Sequence, residues 1–178
     1  MSKMPPTVGE LRDAIRNVPD FPTPGIQFKD ITPVLADARL FSGCIDLLVD
    51  GFQPGEVDTV VGIDARGFIF AAAAAVKLRA GFVPVRKQGK LPFATHEQSY
   101  DLEYGQNTVA IHIDAVKPGA RVLLIDDLLA TGGTAEAAAL LLQKVGAKIL
   151  EAAFFIELDA LQGRRKIRHC PVRSLVVY

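Results

Sequence analysis

Cysteine is nearly absent: Cys44 and Cys170 are the only two in 178 residues, too far apart for a disulfide framework. No second cysteine or histidine stands beside either at metal-ligand spacing, so neither marks a zinc site, and a reducing cytoplasm is the expected location. An excess of one charge is also missing. Twenty Lys and Arg cancel 20 Asp and Glu, which leaves no global field to hold nucleic-acid phosphates, so any anion site must be local. Long apolar runs are lacking too. The longest, Gly67 to Val76, has ten residues where a membrane span needs about 20, and Met1 to Gly9 lacks the apolar centre of a signal peptide. Neither a membrane nor a nucleic acid is an expected partner.

What remains is an ordinary globular balance, 49% hydrophobic and 22% charged, in a chain of one domain's length, residues 1 to 178. Thr7 followed by Glu10 is a capping box that opens a short helix ending before Pro19. The proline-rich stretch FPTPGIQFKDITP, Phe21 to Pro33, suits neither a regular helix nor a central strand and reads as a shaped loop. A second helix is expected from about Arg39 to Phe52.

From Thr59 the pattern becomes β-α-β, twice: strand 59–63, helix 68–79, strand 82–86, then strand 121–125, helix 135–145, strand 148–156. Crossovers of that length and continuous apolar runs such as VLLI imply an α/β fold, a mostly parallel sheet flanked by helices on both faces. Such sheets bind ligands at the carboxyl ends of their strands. The segment from Lys87 to Gly105 is polar and irregular, and at that length reads as a mobile lid loop. SLVVY at the C-terminus reads as a strand and GRRKIRH, Gly163 to His169, as a basic surface segment.

The chemistry concentrates in VLLIDDLLATGGTA, Val122 to Ala135. A buried strand runs into two acids, a short apolar turn and a Thr-Gly-Gly-Thr helix start. Ala130, Gly132 and Gly133 allow close backbone approach, Thr131 and Thr134 add hydroxyl donors, and the helix N-terminus offers free N–H groups. That makes a cradle for one phosphate. Neither a Walker loop nor a dinucleotide Gly-x-Gly-x-x-Gly is present. Asp126 and Asp127 would repel a polyphosphate unless they face something else, and a ribose diol fits, since carboxylates accept from both hydroxyls.

This motif resembles that of the type I phosphoribosyltransferases. FPTPGIQFKDITP, GIDARGF (Gly62 to Phe68), RKQGKLP (Arg86 to Pro92) and SYDLEYG (Ser99 to Gly105) accompany it in order, over roughly residues 15 to 160, and are similar to the adenine-specific branch of that family. The resemblance implies a type I fold with an N-terminal base-binding hood, about residues 1–35, and a lid over about 87–105. It implies transfer from phosphoribosyl pyrophosphate to adenine, giving AMP and pyrophosphate in purine salvage. Magnesium would be bound mainly through the substrate's diphosphate, with no dedicated protein metal site.

By the same resemblance, Asp64 to Gly67 would form the pyrophosphate loop with Arg66 at the anion, and a strained, cis non-proline peptide at Asp64–Ala65 would be in keeping. Arg86, Lys87 and Lys90 would help hold the diphosphate, Arg86 reaching into the neighbouring subunit of a homodimer. Phe28 would stack on the base while the backbone at Gln27 and Lys29 reads its edge. Glu103 would sit at the imidazole side and manage its proton. His96 lies in the lid and reads as an ordinary polar residue, while His112 and His169 lack partners at metal spacing and read as structural. Two rival readings remain, a 6-oxopurine-specific enzyme and a non-catalytic sensor of phosphoribosyl pyrophosphate.

Overall fold

The first helix begins where its cap dictates. In the computed structural model, which describes residues 4–101 and 105–178, Glu10 N donates to Thr7 Oγ1 at 3.2 Å and Thr7 N donates to the Glu10 carboxylate at 2.8 Å. This reciprocal box starts α1 (Val8–Ala14). A two-stranded antiparallel ribbon follows, β1 (Arg16–Pro19) and β2 (Gln27–Asp30), with Val18 opposite Phe28. The connecting prolines keep this segment out of any central sheet, and the Phe21–Pro22 peptide is cis. Then come α2 (Thr32–Ala36) and α3 (Ala38–Leu48), the latter ending four residues before the expected Phe52. The chain up to Leu47 clusters as one compact unit, in which Leu11, Ile15, Ile31, Val34, Cys44 and Ile45 are buried.

Leu48 to Tyr178 form a second unit around a seven-stranded sheet. Its elements are β3 (Thr59–Ile63), α4 (Gly67–Leu78), β4 (Gly81–Lys87), β5 (Thr95–Asp101), β6 (Gln106–His112), β7 (Arg121–Leu129), α5 (Gly133–Lys144), β8 (Lys148–Glu157) and β9 (Val172–Val177). The strand order is β5-β6-β4-β3-β7-β8-β9. Five strands, β4 to β9 in that order, run parallel; β5 and β6 join antiparallel at one edge.

Both faces of the sheet are covered, as continuous apolar strands require. On one face Val61, Ile63, Val122, Leu124 and Phe154 pack with the alanines and leucines of α5. On the other, α4 lies close enough that a β-carbon on Gly62 would sit 2.7 Å from that of Ala71, and Phe70 packs on Phe155 at 5.5 Å.

Two expectations need correction. Lys87 to Gly105 is not irregular throughout: Thr95–Asp101 forms β5, paired along its length with β6. Its sequence, THEQSYD, alternates polar side chains with polar side chains, so nothing in its hydropathy marks a strand. Second, β7 does not end at Ile125 but continues through Asp126 and Asp127 to Leu129, because β8 offers Phe154, Ile156 and Glu157 as pairing partners beyond that point.

Candidate active site

β3 and β7 are parallel neighbours in register, Gly62 beside Ile125. Their carboxyl ends therefore open side by side, and the turn after β3 faces the turn after β7. Two adjoining pockets result. The smaller, about 80 Å³, is lined by Asp126 and by the loop from Leu128 to Ala135. The larger, about 290 Å³, is lined by Ile63 to Arg66, Asp126 to Leu128 and Thr134. Asp126, Leu128 and Thr134 belong to both walls.

The small pocket is walled by the loop that the sequence reads as a phosphate cradle. Gly132 adopts φ +80° just before α5, a conformation that costs glycine little and other residues more. The loop then delivers the N-terminal N–H groups of α5 and the positive end of its dipole to the pocket. Thr134 Oγ1 donates to Tyr100 Oη at 2.9 Å, and the Tyr100 ring stands against Gly133. Tyr100 lies on β5, so the hairpin rests directly on the cradle.

In the larger pocket the two acids differ. Asp127 is 6% exposed, and Arg66 Nε lies 2.7 Å from its Oδ2. Asp126 is half-buried on the wall between the pockets and its Oδ1 accepts from Asp127 N at 2.9 Å. Burial and the neighbouring Asp127 charge push the Asp126 carboxyl well above the usual carboxylate range. Burial raises Asp127 as well, opposed by the Arg66 charge. Adjacent acids can thus share a site with an anion because a guanidinium answers one of them. Gly67 is required here, since a β-carbon would sit inside the space of Asp126 Oδ1.

The Asp64–Ala65 peptide is cis, as the resemblance implied. Arg86 Nε donates to Asp64 Oδ2 at 3.0 Å and Arg86 Nη1 to the Lys90 carbonyl at 2.9 Å. Lys87 and Lys90 flank a turn with Gly89 at φ +76°, and both side chains are exposed. The structure thus gathers Arg66, Asp126, Asp127, Ala130, Thr131, Gly132, Gly133 and Thr134 around two pockets and ties Arg86 to Asp64 on the wall of the larger. Gln27, Phe28 and Lys29 lie on β2 in the first unit, where Phe28 packs edge-on against Phe21 at 5.1 Å and Gln27 Oε1 accepts from Asn17 Nδ2 at 2.6 Å. Glu103 lies outside the described residues.

Other groups are accounted for. His169 pairs with Glu136 at 3.1 Å and His112 Nε2 accepts from Phe93 N at 3.4 Å. Burial pushes the Cys170 thiol up to about 11, the wrong direction for a nucleophile. Sequence reasoning missed the segment from Glu157 to Arg164, which the basic run GRRKIRH disguised as plain surface. Gly163 is buried and Arg164 is bonded to the Glu157 carboxylate.

Comparison with known proteins bears on the family and the fold. The family described as phosphoribosyl transferase domain matches residues 32–177. An adenine phosphoribosyltransferase of Acidothermus cellulolyticus is 56% identical over 175 residues, covering 97% of this chain and 99% of that protein. The crystal structure of adenine phosphoribosyltransferase from Rhodothermus marinus is 52% identical, superposes with a TM-score of 0.91, and the match covers 96% of this chain and 98% of that one. The Saccharomyces cerevisiae enzyme, complexed with an imino-altritol bisphosphate and adenine, is 40% identical with a TM-score of 0.89, covering 94% and 97% of the two chains.

Proposed function

The chain belongs to the phosphoribosyltransferase family, and from that membership we propose that it is an adenine phosphoribosyltransferase, converting adenine and phosphoribosyl pyrophosphate to AMP and pyrophosphate. The observation that carries the reading is the pair of pockets joined at Asp126 and Thr134. One fits a single phosphate at a helix N-terminus. The other is lined by carboxylates and Arg66, which supports a ribose and a diphosphate beside that phosphate.

In this reading the 5′-phosphate takes the Ala130–Thr134 cradle, fixing the sugar in orientation. Asp126 accepts from the ribose hydroxyls, and its negative field favours the cationic, oxocarbenium-like sugar formed as the diphosphate departs. Asp127 holds Arg66 toward the diphosphate side, and Arg86, Lys87 and Lys90 add cationic charge there. The 87–105 segment covers the cation and excludes water that would hydrolyse it. By the family resemblance Phe28 would stack on adenine with the backbone of Gln27 and Lys29 reading its edge, and Glu103 would take the imidazole proton.

Magnesium enters as part of the substrate. No group of three His, Cys, Asp or Glu among the described residues is arranged to cage a metal. The Asp126 carboxylate is an oxygen donor of the kind hydrated magnesium prefers, so the site fits an ion carried in on the diphosphate. When bound, magnesium offsets the charge of the leaving group.

A homodimer belongs to the same reading. Ile69, Ala72 and Val76 form an exposed apolar stripe on α4, Val76 being 81% exposed, with Phe82 exposed nearby on β4. Among the described residues no helix is long and apolar enough to cross a membrane, and the two thiol cysteines suit a cytoplasmic location.

Pyrophosphate release with adenine, hypoxanthine, guanine or no base, each with and without magnesium, tests the function. Release with adenine and magnesium is expected, with hypoxanthine disfavoured by roughly 10⁴-fold because its edge reverses donor and acceptor. Comparable turnover of hypoxanthine, or no turnover of any base, overturns it.

A further inference from the structure

Behind the phosphate cradle lies a contact between two stretches of backbone. Gly163 opens a single 3₁₀ turn, Gly163–Arg165, and is buried against the loop. A β-carbon at 163 would overlap the Ala130 carbonyl oxygen and sit 2.8 Å from Gly132 N; one at 132 would overlap the Gly163 carbonyl oxygen. Each glycine therefore admits the other's main chain. Leu158 N also donates to Leu129 O at 2.9 Å, tying the same two stretches together.

The next residue anchors this wedge. Arg164 donates from Nε to Glu157 Oε1 at 3.0 Å and from Nη2 to Oε2, a two-pronged grip on a carboxylate only 2% exposed. Its Nη1 donates to the Val172 carbonyl and its Nη2 reaches Ser174 Oγ at 3.3 Å. Arg164 thus spans from the end of β8 to β9, two strands of the rigid sheet. Glu157 itself pairs with Leu129, the last residue of β7 before the cradle.

We propose that Glu157, Arg164 and Gly163 act as one brace, positioning the backbone of Ala130 to Gly133 so that its N–H groups converge on the substrate's 5′-phosphate. They touch no substrate and act through the loop. The proposal rests on the reading of that loop as the 5′-phosphate cradle. A phosphate bound by backbone amides cannot be recentred by side-chain rotation, so displacement of the loop is felt directly in affinity, on the order of 10- to 100-fold. The diphosphate, held on the Arg66 side, does not depend on the brace.

Two variants test this, Gly163→Ala and the double change Glu157→Met with Arg164→Met. The double change removes the buried charge together with its partner, which tends to leave stability near the starting value. Calorimetric binding of ribose 5-phosphate and of magnesium pyrophosphate serves as the readout, with thermal melting and steady-state kinetics alongside. Expected is a loss of ribose 5-phosphate affinity of roughly 10- to 100-fold, with pyrophosphate affinity little changed and KM for phosphoribosyl pyrophosphate raised more than kcat falls. If Gly163→Ala does not fold, the double variant decides. Unchanged ribose 5-phosphate affinity in a folded variant, or equal losses for both probes that track the melting temperature, overturns the brace. Wild-type protein that binds no ribose 5-phosphate overturns the cradle reading instead.

Discussion

Arg66 Nε and Asp127 Oδ2 lie 2.7 Å apart, so a residue from the turn after β3 neutralises one of two consecutive acids at the end of β7. The other acid, Asp126, is left with a raised pKa on the wall between the pockets. In the proposed reading this pairing divides the work: Asp127 fixes a guanidinium, and Asp126 is left to address the ligand.

Asp126 should therefore cost the fold stability at neutral pH. Its folded pKa lies above the unfolded value near 3.8. The cost is absent below that unfolded value, where the acid is protonated in both states, and grows as pH rises through the folded one. Asp126→Asn keeps an acceptor for Asp127 N but has nothing to ionise. The variant is expected to melt higher at pH 7.5, by about 2–4 °C for each kcal/mol relieved, with the difference shrinking toward pH 4. Its affinity for phosphoribosyl pyrophosphate should fall. A difference in melting temperature that does not vary with pH defeats the assignment.

The two cradle glycines should not be equivalent. Alanine at 132 must adopt φ +80° and displace the Gly163 backbone, whereas alanine at 133 meets the edge of the Tyr100 ring at 3.0 Å, a side chain that can yield. Gly132→Ala is expected to cost about 1–3 kcal/mol from backbone strain and crowding, and Gly133→Ala less than half of that. Chemical denaturation of both variants measures the contrast, and equal losses contradict it.

How far the sequence was legible follows from which interactions were local. The β-α-β units show because each buried strand carries its own apolar run and each helix start its own glycines, so VLLI and TGGT declare themselves. β5 does not, since it pairs with β6 through backbone groups that hydropathy cannot see. The extension of β7 through Asp126 and Asp127 was hidden for a related reason: charged residues in a strand are unfavourable in isolation, and only β8 alongside and Arg66 opposite make them tolerable. Gly163 is the clearest case. Its role is set by Ala130 and Gly132, some 30 residues earlier in the chain, and the four basic residues beside it drew attention to charge instead of packing.

The apolar stripe on α4 gives the proposed dimer its test. Val76→Glu places a charge at the most exposed point of the stripe that Ile69 and Ala72 share, away from the residues lining either pocket. Sedimentation should show the wild type as a dimer and this variant shifted toward monomer. Sharing of Arg86 across the two-fold is read separately, by mixing Arg86→Ala with a Gly132→Val chain, whose larger side chain blocks backbone approach at the cradle. Hybrid dimers should regain activity that neither parent has. A fully active wild-type monomer at assay concentration rules out the shared site.

The proton step assigns Glu103 its test. Adenine's imidazole ring must lose a proton overall as the glycosidic bond forms, and the departing base must gain one in reverse, so a single carboxyl at that edge can serve both directions. Glu103→Gln keeps size and hydrogen-bonding capacity but cannot exchange a proton. Expected is a fall in kcat by roughly 10² to 10⁴ with phosphoribosyl pyrophosphate affinity little changed. Glu103→Leu should in addition weaken adenine binding, because it removes the hydrogen bond as well as the proton. Steady-state rates alone are insufficient here, since slow product release can mask a change in the chemical step. A pyrophosphate burst identifies that situation, and single-turnover rates then carry the comparison. If the Gln variant matches the wild type in a single turnover, the proton is carried by another group or by water, and Glu103 has no part in the chemistry.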